Sequence, residues 1–264
     1  MTLKAESCRG LSSAGLKNIA EISMLIDHTA QVLYISFLDR IGITDYFSDS
    51  LFSIMIFIGR LAFPIFAFLT AQGACHTRSR KKYAIRLAVL ALTSILPFHL
   101  ATMRSEIRFS NVFFTLLAGL LAIIATEKIR NRLLQGCSVL CICAICLAIN
   151  SDYDIFGVIL ILIFYYFRDN PSDMILCAAL AFLPLYFISV FLSSLSLLVR
   201  FPSFSGYLVF CLQSVKNEAP GLLSLPLIAL YNGSKGKSSL PSAFYYAFYP
   251  LHLLLLALIR DAVF

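Results

Sequence analysis

LKNIAEISMLIDHTAQVLYISFL, residues 16–38, is the stretch that decides the fold. A helix needs about 20 residues to cross the roughly 30 Å hydrocarbon core of a bilayer, and this run has that length. Asp27 and His28 stand at its centre. An Asp at the middle of a membrane helix costs roughly 2.5–3.5 kcal/mol on insertion scales. Such residues face a protein interior and carry function.

The rest of the chain agrees with this reading. Hydrophobic side chains make up 59% of the 264 residues and charged ones 13%, and the mean hydropathy is +0.86. A water-soluble domain cannot expose that much apolar surface, whereas lipid can cover it. The expected fold is all-α, a polytopic integral membrane helix bundle. The net charge of +7 comes from basic residues in short connecting loops, which fits the positive-inside rule. No basic face is interleaved with aromatics, so nucleic acid is not an expected partner. The polar start MTLKAESCRGLSSAG, followed by an apolar run broken by Glu21, Asp27 and His28, does not read as a cleavable signal peptide. Residues 1–15 are therefore expected as a cytoplasmic tail and 16–264 as one membrane domain.

Apolar segments recur at 16–38, 51–74, 83–101, 111–126, 134–150, 154–168, 173–193 and 242–260. The basic clusters HTRSRKKYAIR (76–86) and Lys128, Arg130 and Arg132 read as cytoplasmic. The acidic stretches 39–49 and 150–154 read as external, and Arg104 and Arg108 fit that side less cleanly. Between Leu195 and Tyr231, Pro202, Gly206, Pro220, Gly221 and Pro226 interrupt two apolar halves, each too short for a perpendicular span. This region is expected to hold one full span plus a broken or re-entrant piece near 202–226, for about nine spans (8–10) in all. Cys137, Cys141, Cys143 and Cys146 share one apolar segment without nearby His or carboxylate, so they read as packing residues rather than metal ligands.

Three groups of residues can carry chemistry. Lys17 and His28 are eleven residues apart, close to three helical turns, so they share a face about 16 Å apart along the axis. They form a cationic entrance and an imidazole at depth; equally, Lys17 can snorkel and His28 can make an interhelical hydrogen bond. Arg60, in GRLAFPIF (59–66), needs an anion at its depth, and Asp27 is the nearest in an antiparallel neighbour. It is either a structural partner of Asp27 or a group that binds phosphate or polarises a carbonyl. Pro64 beside it opens the helix backbone. Tyr245, Tyr249 and His252 share a face of the last helix, and Asn111 opens the fourth span.

The strings KNIAEISMLIDH (17–28), IGRLAFPIFAF (58–68), HTRSRKKY (76–83), NVFFTLLAGL (111–120), YDIFGVILIL (153–162), YNG (231–233) and FYPLHLLLL (248–256) resemble the TraX family. TraX is associated with N-terminal acetylation of F-type pilin. That family is in turn similar to the transmembrane acyltransferases, among them the acyltransferase-3 enzymes and heparan glucosaminide acetyltransferase. In acyltransferase-3 enzymes a basic residue precedes a first-helix His by the spacing of Lys17 and His28. Glu21 has no place in the family pattern and is left out of the expected site.

The resemblance implies acetyl-CoA as co-substrate, no metal, and an acceptor amine or hydroxyl on a protein, a peptide or an envelope glycan. It implies a bacterial inner-membrane location with a cytoplasmic N-terminus, and leaves a homodimer open. His28 is then the expected general base, direct transfer being favoured over an acetyl-His intermediate. Asp27 compensates Arg60, while Arg60 or Asn111 stabilises the developing oxyanion. Lys17, Arg78, Lys81, Lys82 and Arg86 are expected to hold the CoA phosphates, with Tyr249 and His252 near the reacting end. A transporter or a non-enzymatic pilus-assembly protein is the competing class.

Overall fold

The computed structural model describes residues 10–46, 49–102, 111–236 and 242–264. The awkward loop with Arg104 and Arg108, and most of the expected N-terminal tail, lie outside the described residues. All regular structure described is helical, apart from one isolated β-bridge between Leu11 and Tyr231.

α1 (Ser13–Thr29) begins three residues earlier than the apolar run, because the Ser12 hydroxyl accepts from the Gly15 amide and caps the helix. It passes through a π-helical turn (Ala30–Tyr34) into α2 (Ile35–Arg40) without leaving the helical path. The next pass bends: α3 (Ser50–Gly59) ends at Arg60, and α4 (Ala62–His76) starts two residues later. Pro64 sits in the first turn of α4, where its missing N–H costs nothing. The chain continues through α5 (Arg80–Thr93), α6 (Ile95–Thr102), α7 (Val112–Lys128), α8 (Arg132–Ala148), α9 (Asp154–Tyr166) and α10 (Pro171–Ser193). α11 (Phe204–Glu218), α12 (Ser224–Ala229) and α13 (Ser242–Val263) complete it.

α9 occupies the centre. Phe156, Leu160, Ile161 and Phe164 are fully buried, and the core extends from them to Leu16 and Ala20 of α1, Phe68 of α4, Leu120 of α7, Phe182 of α10 and Leu253 of α13. Cys143 and Cys146 pack with Ala118, Ala122 and Val158 between α7, α8 and α9, as small apolar residues do. The exterior carries exposed Leu133, Leu140, Leu180, Val199 and Val209, an apolar surface that only lipid or another protein can cover. Among the described residues, four helical passes (Ser50–His76, Arg80–Thr102, Pro171–Ser193 and Phe244–Val263) are long and apolar enough to cross a membrane by length and composition.

Between 195 and 231 no full straight span forms; the longest helix there is the 15 residues of α11. The expected break is present, as a 3₁₀ turn from Ala219 to Leu223 around Pro220-Gly221. The chain does not turn back at this break. Tyr207, near the start of α11, contacts Ser194 beyond the end of α10. Beyond α12, the Leu230 carbonyl accepts from Leu11 next to the start of α1. α11 and α12 thus make one broken pass from end to end.

Two more contacts orient the bundle. Lys17 lies over the Tyr245 ring while His28 meets His252, so α1 and α13 run parallel. Asp27 meets Arg60 while Lys17, near the start of α1, shares the outer cavity with Gln72 and His76 at the end of α4, so α1 and the α3–α4 pass run antiparallel.

Candidate functional site

At mid-depth, Asp27 and Arg60 pair as their opposite directions require: Arg60 Nη2 lies 2.8 Å from Asp27 Oδ1. Gly59 permits this approach, since a Cβ there would overlap the Asp27 carboxylate. Gln31, one turn along, also donates to Asp27. A second carboxylate completes the cluster: Glu218 Oε2 accepts from Arg60 Nη1 at 3.0 Å, with the Glu218 side chain only 1% exposed. The break after α11 delivers it. Gly221 packs its backbone close to the Arg60 carbonyl, where a Cβ would stand 3.2 Å from that oxygen. Two interrupted helices therefore meet at one guanidinium.

Next to this cluster, His28 Nδ1 and His252 Nε2 are 2.6 Å apart, and His252 Nδ1 is 2.7 Å from the Phe248 carbonyl. A carbonyl can only accept, so His252 carries its proton on Nδ1. With both rings neutral, His252 Nε2 accepts from His28 Nδ1–H. His28 Nε2 is left with its lone pair. The π-helical turn starts two residues after His28, and such turns concentrate at functional positions.

A cavity of about 850 Å³ runs from Phe248 and Tyr249, whose rings pack against this pair, to the end of the bundle that holds the start of α1. Met24, Phe248 and Tyr249 line its inner part, and the Tyr249 ring meets His28 edge-on at 5.8 Å. Farther out it is lined by Lys17, Glu21, His76, Tyr83, Lys235, Tyr245 and Tyr246. Lys17 Nζ stands 3.8 Å above the Tyr245 ring, a cation–π contact. Tyr245 donates to Asn18, and the Tyr231 hydroxyl accepts from Ser13, so the YNG loop is fastened to α1 beside the opening.

Lys17 and Tyr249 line this cavity, His28 and His252 lie behind it against the Tyr249 ring, and neither Asp27 nor Arg60 lines it. Glu21, left out on the family pattern, lines the cavity with Lys17. Asn111 does not line it: its amide donates to the Ala91 carbonyl and accepts from the Phe113 amide as the cap of α7. Both ends are engaged, and the side chain is fully buried outside the cavity lining. Both terminal nitrogens of Arg60 are likewise occupied. Arg78, Lys81, Lys82 and Arg86 are exposed at the same end and do not line the cavity. Arg86 lies 5.7 Å from the Tyr83 ring, which does line it. Arg80 of the same cluster bonds to Glu127, Tyr165 and the Ala74 carbonyl, so it fastens α4, α7 and α9 together.

Sequence reasoning missed Glu218 and Lys235. A carboxylate two residues before Pro-Gly in an apolar stretch was the available signal for the first. For Lys235 it was its place in the basic loop after YNG.

The sequence pattern of the TraX protein family matches residues 12–260 of this chain. A probable fimbrial assembly protein of Dichelobacter nodosus, FimC of serogroup H1, is 28% identical over 262 residues, which span 93% of this chain and 94% of that protein. No solved structure matches the chain. The match over nearly the whole helical bundle places the chain in the TraX family.

Proposed function

We propose that the chain is a membrane-embedded acetyltransferase that moves an acetyl group from cytoplasmic acetyl-CoA to an acceptor amine or hydroxyl at the membrane or its outer side. The observation that carries this reading is the oriented His28–His252 pair, packed directly behind Phe248 and Tyr249 at the inner end of a cavity whose outer part holds Lys17 and Lys235. The cavity volume lies within the range of small-molecule sites. Its lysines suit phosphate groups, and the faces of Tyr83, Tyr245 and Tyr246 suit an adenine ring. On this reading the cavity opens to the cytoplasm, α1 starts there, and the chain crosses the inner membrane nine times, α11 and α12 forming one broken crossing.

The chemistry is a direct acyl transfer. His28 Nε2 takes the proton of the acceptor N–H or O–H as the heteroatom attacks the thioester carbonyl. The tetrahedral intermediate expels the CoA thiolate, and the same imidazolium returns the proton to sulfur, giving the acetylated acceptor and CoA. His252 is a positioning residue, holding His28 in the tautomer with Nε2 free. Asp27 and Arg60 fix the helix turn that carries His28 and take no part in the proton transfer.

The relative's name supports a second reading, a pilus-assembly protein without enzymatic activity. The two are separated by incubating purified protein with radiolabelled acetyl-CoA and an amine acceptor and following CoA release. Turnover supports the transferase. A well-folded protein with no affinity for CoA contradicts it and leaves the assembly role. If the acceptor is a pilin or peptide N-terminus, label will appear on its α-amino group.

A further inference from the structure

A second cavity, of about 350 Å³, lies on the opposite side of the Asp27–His28 turn from the first. Position along α1 shows this: Lys17, Glu21 and Met24 line the first cavity, while Gln31 and Ile35 line the second. Tyr46, Arg60, Tyr186, Ser214, Asn217 and Glu218 also line the second, with Phe52 and Ile56 as its apolar wall.

Its electrostatics are unbalanced. Two carboxylates, Asp27 and Glu218, share one guanidinium, which leaves one negative charge in excess when all three are ionised. Buried charges need partners. Glu218 Oε1 is buried without a hydrogen-bond partner among the described residues, although the side chain lines the cavity. Arg60 Nε, a donor, is also buried and without a partner among the described residues. Of the other lining polar groups, Ser214 donates to the Phe210 carbonyl, Asn217 accepts from Gln213, and Gln31 donates to Asp27.

We propose that this cavity binds a primary ammonium group carrying an adjacent oxygen acceptor, entering from the end of the bundle opposite to the lysine-lined cavity. The ammonium supplies the charge and the donor that Glu218 lacks, and the adjacent oxygen accepts from Arg60 Nε. Such a group can be the amino end of a polypeptide or an aminated lipid headgroup. Its role as the acceptor's entrance rests on the transferase reading; its affinity for the ammonium does not.

The test uses the full-length protein in nanodiscs of phosphatidylcholine. Thermal unfolding is followed with glycinamide hydrochloride, tetramethylammonium chloride or sodium chloride added at equal ionic strength and no acetyl-CoA present. Glycinamide is expected to raise the unfolding temperature saturably, and the two other salts are not. Glu218→Gln, which keeps the side chain's size, should weaken glycinamide binding at least tenfold. Ser214→Phe, which fills the cavity without touching the ion cluster, should do the same. Equal stabilisation by all three salts, or glycinamide binding that survives both variants, overturns the proposal. Competition by phosphatidylethanolamine included in the nanodisc assigns the lipid headgroup as the source; its absence assigns a polypeptide amine. Acetyl transfer measured on the same preparation separates the two hypotheses, since a protein that binds glycinamide but transfers nothing retains the amine site and loses the enzymatic reading.

Discussion

Arg60→Met takes the shared cation away from two buried carboxylates at once. Arg60 lies 2.8 Å from Asp27 and 3.0 Å from Glu218, and Glu218 is 1% exposed. Removing one partner of a buried ion pair costs about 3–5 kcal/mol, because the other charge stays behind without compensation. Two pairs break here, but a stranded carboxylate can neutralise itself by taking up a proton, which limits the sum. The expected loss is therefore about 3–5 kcal/mol rather than twice that. Glu218→Gln should cost less, about 1.5–3 kcal/mol for a charge-assisted hydrogen bond, because the Asp27–Arg60 pair survives and the excess negative charge disappears. Neutralising the whole cluster, as Asp27→Asn, Arg60→Met and Glu218→Gln together, should recover at least half of the Arg60→Met loss, since apolar and neutral replacements of buried ion pairs are well tolerated. Reversible unfolding in mixed micelles with increasing dodecyl sulfate, read by tyrosine fluorescence in this tryptophan-free chain, measures all three. An Arg60→Met loss no larger than that of Glu218→Gln, or a triple variant no more stable than Arg60→Met, would show that the guanidinium does not hold the two carboxylates in place.

His252→Leu removes the acceptor of His28 Nδ1–H and is expected to lower kcat for acetyl transfer about 10–100-fold with KM for acetyl-CoA little changed, whereas His252→Gln, which retains an acceptor and a donor, should recover part of the rate; steady-state kinetics decide, and equal loss in both variants points to a packing role. Lys17→Met takes a cation from the outer cavity, so KM for acetyl-CoA should rise roughly tenfold while kcat holds, and an unchanged KM would remove Lys17 from the phosphate site. Gly59→Ala drives a methyl into the Asp27 carboxylate and should cost about 1–3 kcal/mol in the same unfolding titration, a value near zero showing that α1 and α3 are not in close contact there.

The central residues were legible because depth in a membrane is readable from distance along a helix. Asp27 and Arg60 each lie mid-run in consecutive passes, so an antiparallel arrangement brings them level. His28 and His252 meet for the matching reason in two parallel passes, and the eleven-residue spacing puts Lys17 at the entrance of the cavity that ends near His28. Glu218 was not legible, since its depth depends on the chain continuing past Pro220-Gly221 instead of returning. The π-helical turn after His28 has no Gly or Pro signature and could not be foreseen. Arg80 illustrates a different limit: inside HTRSRKKY all the cations look alike in sequence, and packing alone gives one of them Glu127 and Tyr165 while leaving Arg78, Lys81 and Lys82 exposed. Asn111 shows a related ambiguity, because a polar residue at a helix start serves as a cap, as it does here, as readily as an oxyanion donor.

The most direct measurement is the single-turnover rate of acetyl transfer from radiolabelled acetyl-CoA to an amine acceptor by the wild-type protein and by His28→Ala, with unfolding stability measured alongside. A general base contributes about 10²–10⁴-fold, so His28→Ala should lose at least a hundredfold in rate while remaining folded and still binding acetyl-CoA. Transfer at the wild-type rate by folded His28→Ala would contradict the account.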